Sequence, residues 1–116
     1  MKFIKKNEPI VFVLNAINPI PKNYVYANVV CHTLRLLSDI SKYKKSSKYL
    51  ITPFSSFSKN IKSRIKNKKI LNFGLQVKGN RFKFESNYAV LPNSLAITYT
   101  LGICTSGLCK KIFFAG

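Results

Sequence analysis

Residues Thr52–Lys69, TPFSSFSKNIKSRIKNKK, carry two stripes when laid out at about 100° per residue. Phe54, Phe57, Ile61 and Ile65 fall on one narrow apolar stripe. Lys59, Lys62, Lys66 and Lys69 fall on a second stripe, about a quarter-turn or more away. Thr52 is placed to cap the first turn, and Pro53 to take the first helical position, where no N–H is needed. Lys66, Lys68 and Lys69 in the last turn suit the negative end of a helix dipole. The spacing therefore predicts a basic helix over 53–70 that buries one apolar edge and holds its ammonium groups outward. A solvated charged face is the bland account of such a helix. This one contains no acid, which points instead to a polyanion partner.

Upstream, Ile10–Ile17 (IVFVLNAI) reads as a leading strand, β-branched and bounded by Pro9 and by Asn18-Pro19. A helix over 19–38 is expected next, capped at Asn18 or Asn23, with Ala27, Val30, Cys31, Leu34 and Leu37 on one face. Between 40 and 51 the period is lost, and SKYKKSSKYL (Ser41–Leu50) reads as a basic loop. Its tyrosines, Tyr43 and Tyr49, are candidates for stacking on bases or riboses. Downstream the period becomes two. Phe73, Leu75 and Val77 alternate with Gly74, Gln76 and Lys78, and Gly79-Asn80 reads as a two-residue turn between strands. Phe82, Phe84, Tyr88 and Val90, then Leu95, Ile97, Tyr99, Leu101 and Ile103, continue the alternation, and Leu108–Ala115 supplies a last strand. The expected fold is α+β, with two helices packed on one face of a four-stranded, largely antiparallel sheet. The helices cover the apolar face of a meander spanning 71–116.

The totals constrain the function. The chain has 116 residues, which suits one domain with one core. Its 20 basic residues face only three acids, Glu8, Asp39 and Glu85, for a net charge of +17. Self-repulsion of that size is relieved by a polyanion, of which nucleic acid is the usual one. Hydrophobic residues make up 47%, so this is not a disordered basic tail. Ten of the basic residues lie between 42 and 69: Lys42, Lys44, Lys45, Lys48, Lys59, Lys62, Arg64, Lys66, Lys68 and Lys69. These are the candidate RNA-binding residues. The abundance of Lys, Asn, Ile, Phe and Tyr is the bias of an AT-rich genome such as an organelle's.

No constellation for catalysis is legible, and an enzyme is not expected. Three scattered acids make no dyad, and the chain has neither a GxxxxGK[ST] loop nor a GxGxxG. His32 has no Cys, Ser or carboxylate partner of catalytic type beside it and reads as a surface residue. Cys31, Cys104 and Cys109 form no CxxC pair, so no metal and no cofactor is expected. Reduced thiols fit a reducing compartment, with a Cys104–Cys109 disulfide as the alternative. No apolar run reaches the ~18 residues of a membrane span. Lys2, Lys5 and Lys6 before VFVLNAI imitate a signal peptide, but the run is short, broken by Asn15, and lacks a small-residue cleavage site.

The order of segments resembles the C-terminal domain of the third protein of the small ribosomal subunit, the universal S-three family. FSKNIKSRI (Phe57–Ile65) is similar to that family's basic helix, F-R-R-A-M-K-R-A-V, with Lys59 and Lys62 on two of its basic positions and Ser58 replacing a third. GLQVKGNRF from Gly74, VLP from Val90 and TSGLCKKIFFAG from Thr105 are similar to its later strands. The chain departs from the pattern where the family's acidic strand is replaced by LAITYT, where about fifteen residues around Ser38–Thr52 are inserted, and where the GxxG-bearing KH half is missing. The resemblance implies a mitochondrion-encoded, split form whose KH half is a separate chain. It also implies binding to ribosomal RNA in the head of the small subunit, next to neighbouring head proteins, with the basic helix bordering the messenger RNA entry channel of a mitochondrial ribosome. Another basic organellar ribosomal or RNA-binding protein is the alternative. A cationic membrane-surface protein would need a wider apolar helix face than Phe54–Ile65 provides, so no membrane partner is expected.

Overall fold

A computed structural model describes residues 1–14 and 16–115. The expected leading strand, 10–17, crosses Asn15, and the expected meander ends at Gly116. Both residues lie outside the described ones. The first half of the chain is built on short, two-sided apolar runs. In VYANVVC (Val25–Cys31), Ala27, Asn28, Val29 and Val30 are all buried, and so are Leu50, Ile51 and Thr52. Runs buried on both faces are what a parallel sheet with layers on each side requires. Strands β1 (Phe12–Val13), β2 (Ala27–Val29), β3 (Tyr49–Thr52) and β4 (Ile70–Asn72) form such a sheet, in the order β1-β2-β3-β4. Every neighbouring pair is parallel, with Ala27 opposite both Phe12 and Tyr49, and Leu50 opposite both Asn28 and Ile70.

Parallel neighbours need crossovers, and the intervening segments supply them. A 3-10 turn at Lys22–Tyr24 precedes β2. Helices α2 (Thr33–Ser38) and α3 (Ile40–Lys45) join β2 to β3. A 3-10 turn at Phe54–Ser56 and helix α4 (Lys59–Ile65) join β3 to β4. Side chains alternate between the two faces of a strand. Val30 and Leu50 accordingly join Leu36, Tyr43, Phe57 and Ile65 in a cluster beneath α2, α3 and α4. Ala27, Val29, Cys31 and Ile51 face the other way.

The second layer comes from the last third of the chain. Strands β5 (Gly74–Val77), β6 (Lys83–Phe84) and β7 (Tyr88–Leu91) form a small sheet in the order β5-β7-β6, with β5 parallel and β6 antiparallel to β7. Helix α5 (Ala96–Ser106) packs on β7. Phe73, Ala89, Leu91 and Tyr99 close the cluster over Ala27, Val29, Cys31 and Ile51. The Tyr99 hydroxyl donates to the Phe73 carbonyl at 2.5 Å, so its one polar group is paired in the core. A Cβ on Gly102 would stand 3.1 Å from the Ala89 side chain, which is why α5 can approach β7 so closely there.

The α+β class is as expected, but the arrangement is not. The main sheet is parallel rather than antiparallel, and helices lie on both of its faces. The expected helix 19–38 is a 3-10 turn, a strand and a six-residue helix, because Ala27–Cys31 is buried at every position. The expected basic loop 40–51 folds as α3 and β3, with Tyr43 buried beneath the helices. The expected helix 53–70 is helical only from Lys59 to Ile65; Thr52 ends β3, and Ser58 is the cap, its Oγ accepting from the Ile61 N–H at 3.4 Å. Gly79-Asn80 does turn the chain, with Asn80 at φ 59°. It joins β5 to β6, however, which are not neighbours. The expected strand from Leu95 to Ile103 is α5, where Ala96, Tyr99 and Ile103 form an i, i+3, i+7 stripe against the core while Leu95 and Ile97 are exposed. Leu108–Ala115 pairs with no strand. It is exposed, and Phe113 rests on Phe3 of the N-terminal helix α1 (Lys2–Asn7), ring centroids 4.7 Å apart.

Candidate nucleic-acid interface

The basic residues are placed by two crossovers that cover the same sheet face. On α4, Ile65 is buried and Ile61 half-buried over the cluster that also holds Phe57, with Phe54 packed beside it. The apolar stripe is therefore seated as expected, although Phe54 reaches it from a 3-10 turn. With that edge fixed, Lys59, Arg64, Lys66 and Lys69 are left exposed. Lys62 is half-buried, its ammonium 5.5 Å above the centre of the Phe54 ring. On α3, the buried Tyr43 fixes the helix, and Lys42, Lys44 and Lys45 are exposed around it.

The two helices meet at a cleft of about 300 Å³ lined by Lys44 of α3 and by Ser63, Arg64, Lys66, Asn67 and Lys68 at the end of α4. Lys44, Arg64 and Lys66 present exposed cations on its walls, with no acid among the lining residues. A cleft with cations and no acid on its walls suits an anionic ligand. A second cleft of about 330 Å³ collects Lys42, Lys45 and Lys48 with Lys22. Lys22 is a member the sequence reading missed. It lies 20 residues from Lys42, and only the crossover through the sheet brings it near.

Not all ten candidates are equivalent. Lys42 is 3.6 Å from Asp39 in an ion pair, so part of its charge is already met. Lys68 is half-buried and turns inward, donating to the carbonyls of Ser46 and Lys48. Burial, and then the neighbouring charge of Lys69, hold its pKa below the usual 10.5. Its role is chiefly to tie the end of α4 to the α3–β3 connection. Lys69 stands over the Tyr49 ring at 5.8 Å. Lys59 and Lys62 sit at the other end of α4, outside both clefts.

A larger cleft, about 680 Å³, lies elsewhere, lined by Leu14, Val30, Cys31, His32, Leu34 and Arg35 among others. Its thiol donates to the Ser94 carbonyl at 3.1 Å, and burial pushes the Cys31 pKa up, so it is held as a thiol. His32 is exposed, as expected. All three cysteines are free: Cys31 buried, Cys104 half-buried and Cys109 exposed. Among the described residues no group of three His, Cys, Asp or Glu is placed to hold a metal, and no helix is long and apolar enough to cross a membrane. Compared with protein-family models, curated proteins and solved structures, the chain gave no match.

Proposed function

We propose that this chain is a non-enzymatic RNA-binding protein that grips phosphates, acting as a structural constituent of the small subunit of a mitochondrial ribosome. The observation that carries the RNA-binding reading is the acid-free cleft lined by the exposed Lys44, Arg64 and Lys66. Lysine and arginine groups held on short, well-seated helices present fixed charge to a phosphate backbone, which is how such proteins gain affinity. The ribosomal assignment rests on the similarity of FSKNIKSRI and the later segments to the S-three family, together with the +17 charge. The parallel main sheet differs from the antiparallel one that the similarity implies. Placement in the subunit head, beside neighbouring head proteins and a separate KH-bearing chain, therefore rests on the sequence segments alone. So does a border with messenger RNA at the entry channel, through Lys59 and Lys62.

The test is sedimentation of the tagged chain in a mitochondrial lysate gradient. Co-migration with the small subunit, lost after ribonuclease treatment, is the expected result. A chain that stays at the top of the gradient yet binds RNA when purified would be a different organellar RNA-binding protein. One that does neither would overturn the proposal.

A further inference from the structure

Across the main sheet, one residue at or just before the start of each strand builds a continuous row. Phe12 opens β1, Tyr26 precedes β2, Tyr49 opens β3 and Lys69 precedes β4. The ring centroids of Phe12 and Tyr26 are 6.1 Å apart, those of Tyr26 and Tyr49 5.6 Å, and the Lys69 ammonium lies 5.8 Å from the Tyr49 ring centre. Backbone pairing sets this spacing: the Tyr26 N–H donates to the Val11 carbonyl at 2.9 Å, Ala27 is in register with Tyr49, and the Leu50 N–H donates to the Lys69 carbonyl at 2.9 Å. The row is therefore anchored by backbone pairing at the starts of the strands.

Cross-strand aromatic contact by itself supports a sheet, and Phe12, packed against the core, does that. Tyr26 and Tyr49 are different. They are 46% and 36% exposed, large rings left in water beside a core that buries Tyr43 and Tyr99 almost completely. Partly exposed tyrosine rings beside a lysine and a basic surface supply the two parts of a single-strand site: aromatic rings for bases and cations for the phosphates between them. A duplex cannot use the rings, because its bases are already stacked on each other.

We infer that Tyr26 and Tyr49 form a stacking platform for unpaired bases of single-stranded RNA, with Lys69 and Lys48 holding the adjoining phosphates. This rests on the RNA-binding reading above and specifies the form of RNA taken.

The test uses the full chain, a labelled uridine decamer and a ten-base-pair adenine–uracil RNA duplex, titrated at one salt concentration. Tyr26→Leu and Tyr49→Leu keep apolar bulk but remove the ring face. Each is expected to weaken decamer binding about 5- to 100-fold, the range for loss of one stacked base, with duplex binding changed less than about twofold. Tyr26→Phe and Tyr49→Phe should bind both like the parent. Tyrosine emission of the parent chain should be quenched by the decamer and not by the duplex, a readout that does not depend on the variants folding. Leucine variants that bind the decamer normally, or weaken both RNAs alike, overturn the platform and leave phosphate binding standing. So does emission unchanged by the decamer. A parent chain that binds neither RNA overturns both readings.

Discussion

Lys68 separates a charge from a binding residue. Counted in the sequence, it is one more ammonium in a basic run. In the fold it donates to two backbone carbonyls and joins α4 to the chain before β3. Lys68→Ala leaves both carbonyls without that donor, and water reaches them because the site is only half-buried. The expected loss is about 1–2 kcal/mol in urea unfolding. Lys66→Ala, at an exposed position, should stay within about 0.5 kcal/mol. Equal losses for the two variants would contradict the inward role of Lys68. Burial also governs the alkaline limit. It pushes Tyr99 strongly above its ordinary 10.0, and Tyr43, Cys31 and Cys104 above their ordinary values. A raised folded pKa means that the unfolded chain deprotonates first. Stability is then complete below the ordinary values and falls as pH rises through them. The melting midpoint should decline from about pH 9, and Tyr99→Phe should flatten the part above about pH 10. A midpoint constant to pH 11 would count against the buried assignments.

Among the elements, α4 tests the division of one short helix into two faces. Lys59→Ala with Lys62→Ala removes an exposed cation and one resting on Phe54, so stability should fall by no more than about 1 kcal/mol. Ile65→Ala opens a cavity where the side chain is 1% exposed, and should cost about 2–5 kcal/mol. Chemical denaturation of the purified variants separates the two. If the lysine pair costs more than Ile65→Ala, the faces are assigned the wrong way round. In translation assays, the entry-channel placement requires the lysine variant to slow messages with stable hairpins and spare unstructured ones. Equal slowing of both would remove that placement and leave ribosomal RNA binding. Helix α5 teaches a different lesson: LAITYTLGI alternates well enough to be a strand. Its helical stripe, Ala96–Tyr99–Ile103, was present in the sequence and was outweighed by the stronger period of two.

At the scale of the whole molecule, the charge predicts the form of the binding isotherm. If six to eight cations engage, log affinity against log salt should have a slope of about −4 to −7, allowing about 0.7–0.9 per phosphate contact. A slope near zero in a filter-binding titration would remove the electrostatic basis of the function. The tyrosine platform contributes little to this slope, so the leucine variants should lower affinity while leaving the slope unchanged.

Charge, the absence of acids between 42 and 69 and the apolar stripe of Phe57, Ile61 and Ile65 are local properties, and the sequence by itself determined them. They survive any arrangement of the elements, so the basic face of α4 was legible. The direction of the main sheet was not. Ala27–Cys31 is buried on both faces, and a strand of that kind shows no alternation to distinguish it from a buried helix turn. Tertiary structure alone decided that these runs pair in parallel. That pairing brings Lys22 to Lys42 and Lys45, Lys44 to Arg64, and Tyr26 to Tyr49. It also turns Lys68 inward and sends Tyr43 into the core, because only the packed layers determine which side of each segment meets water.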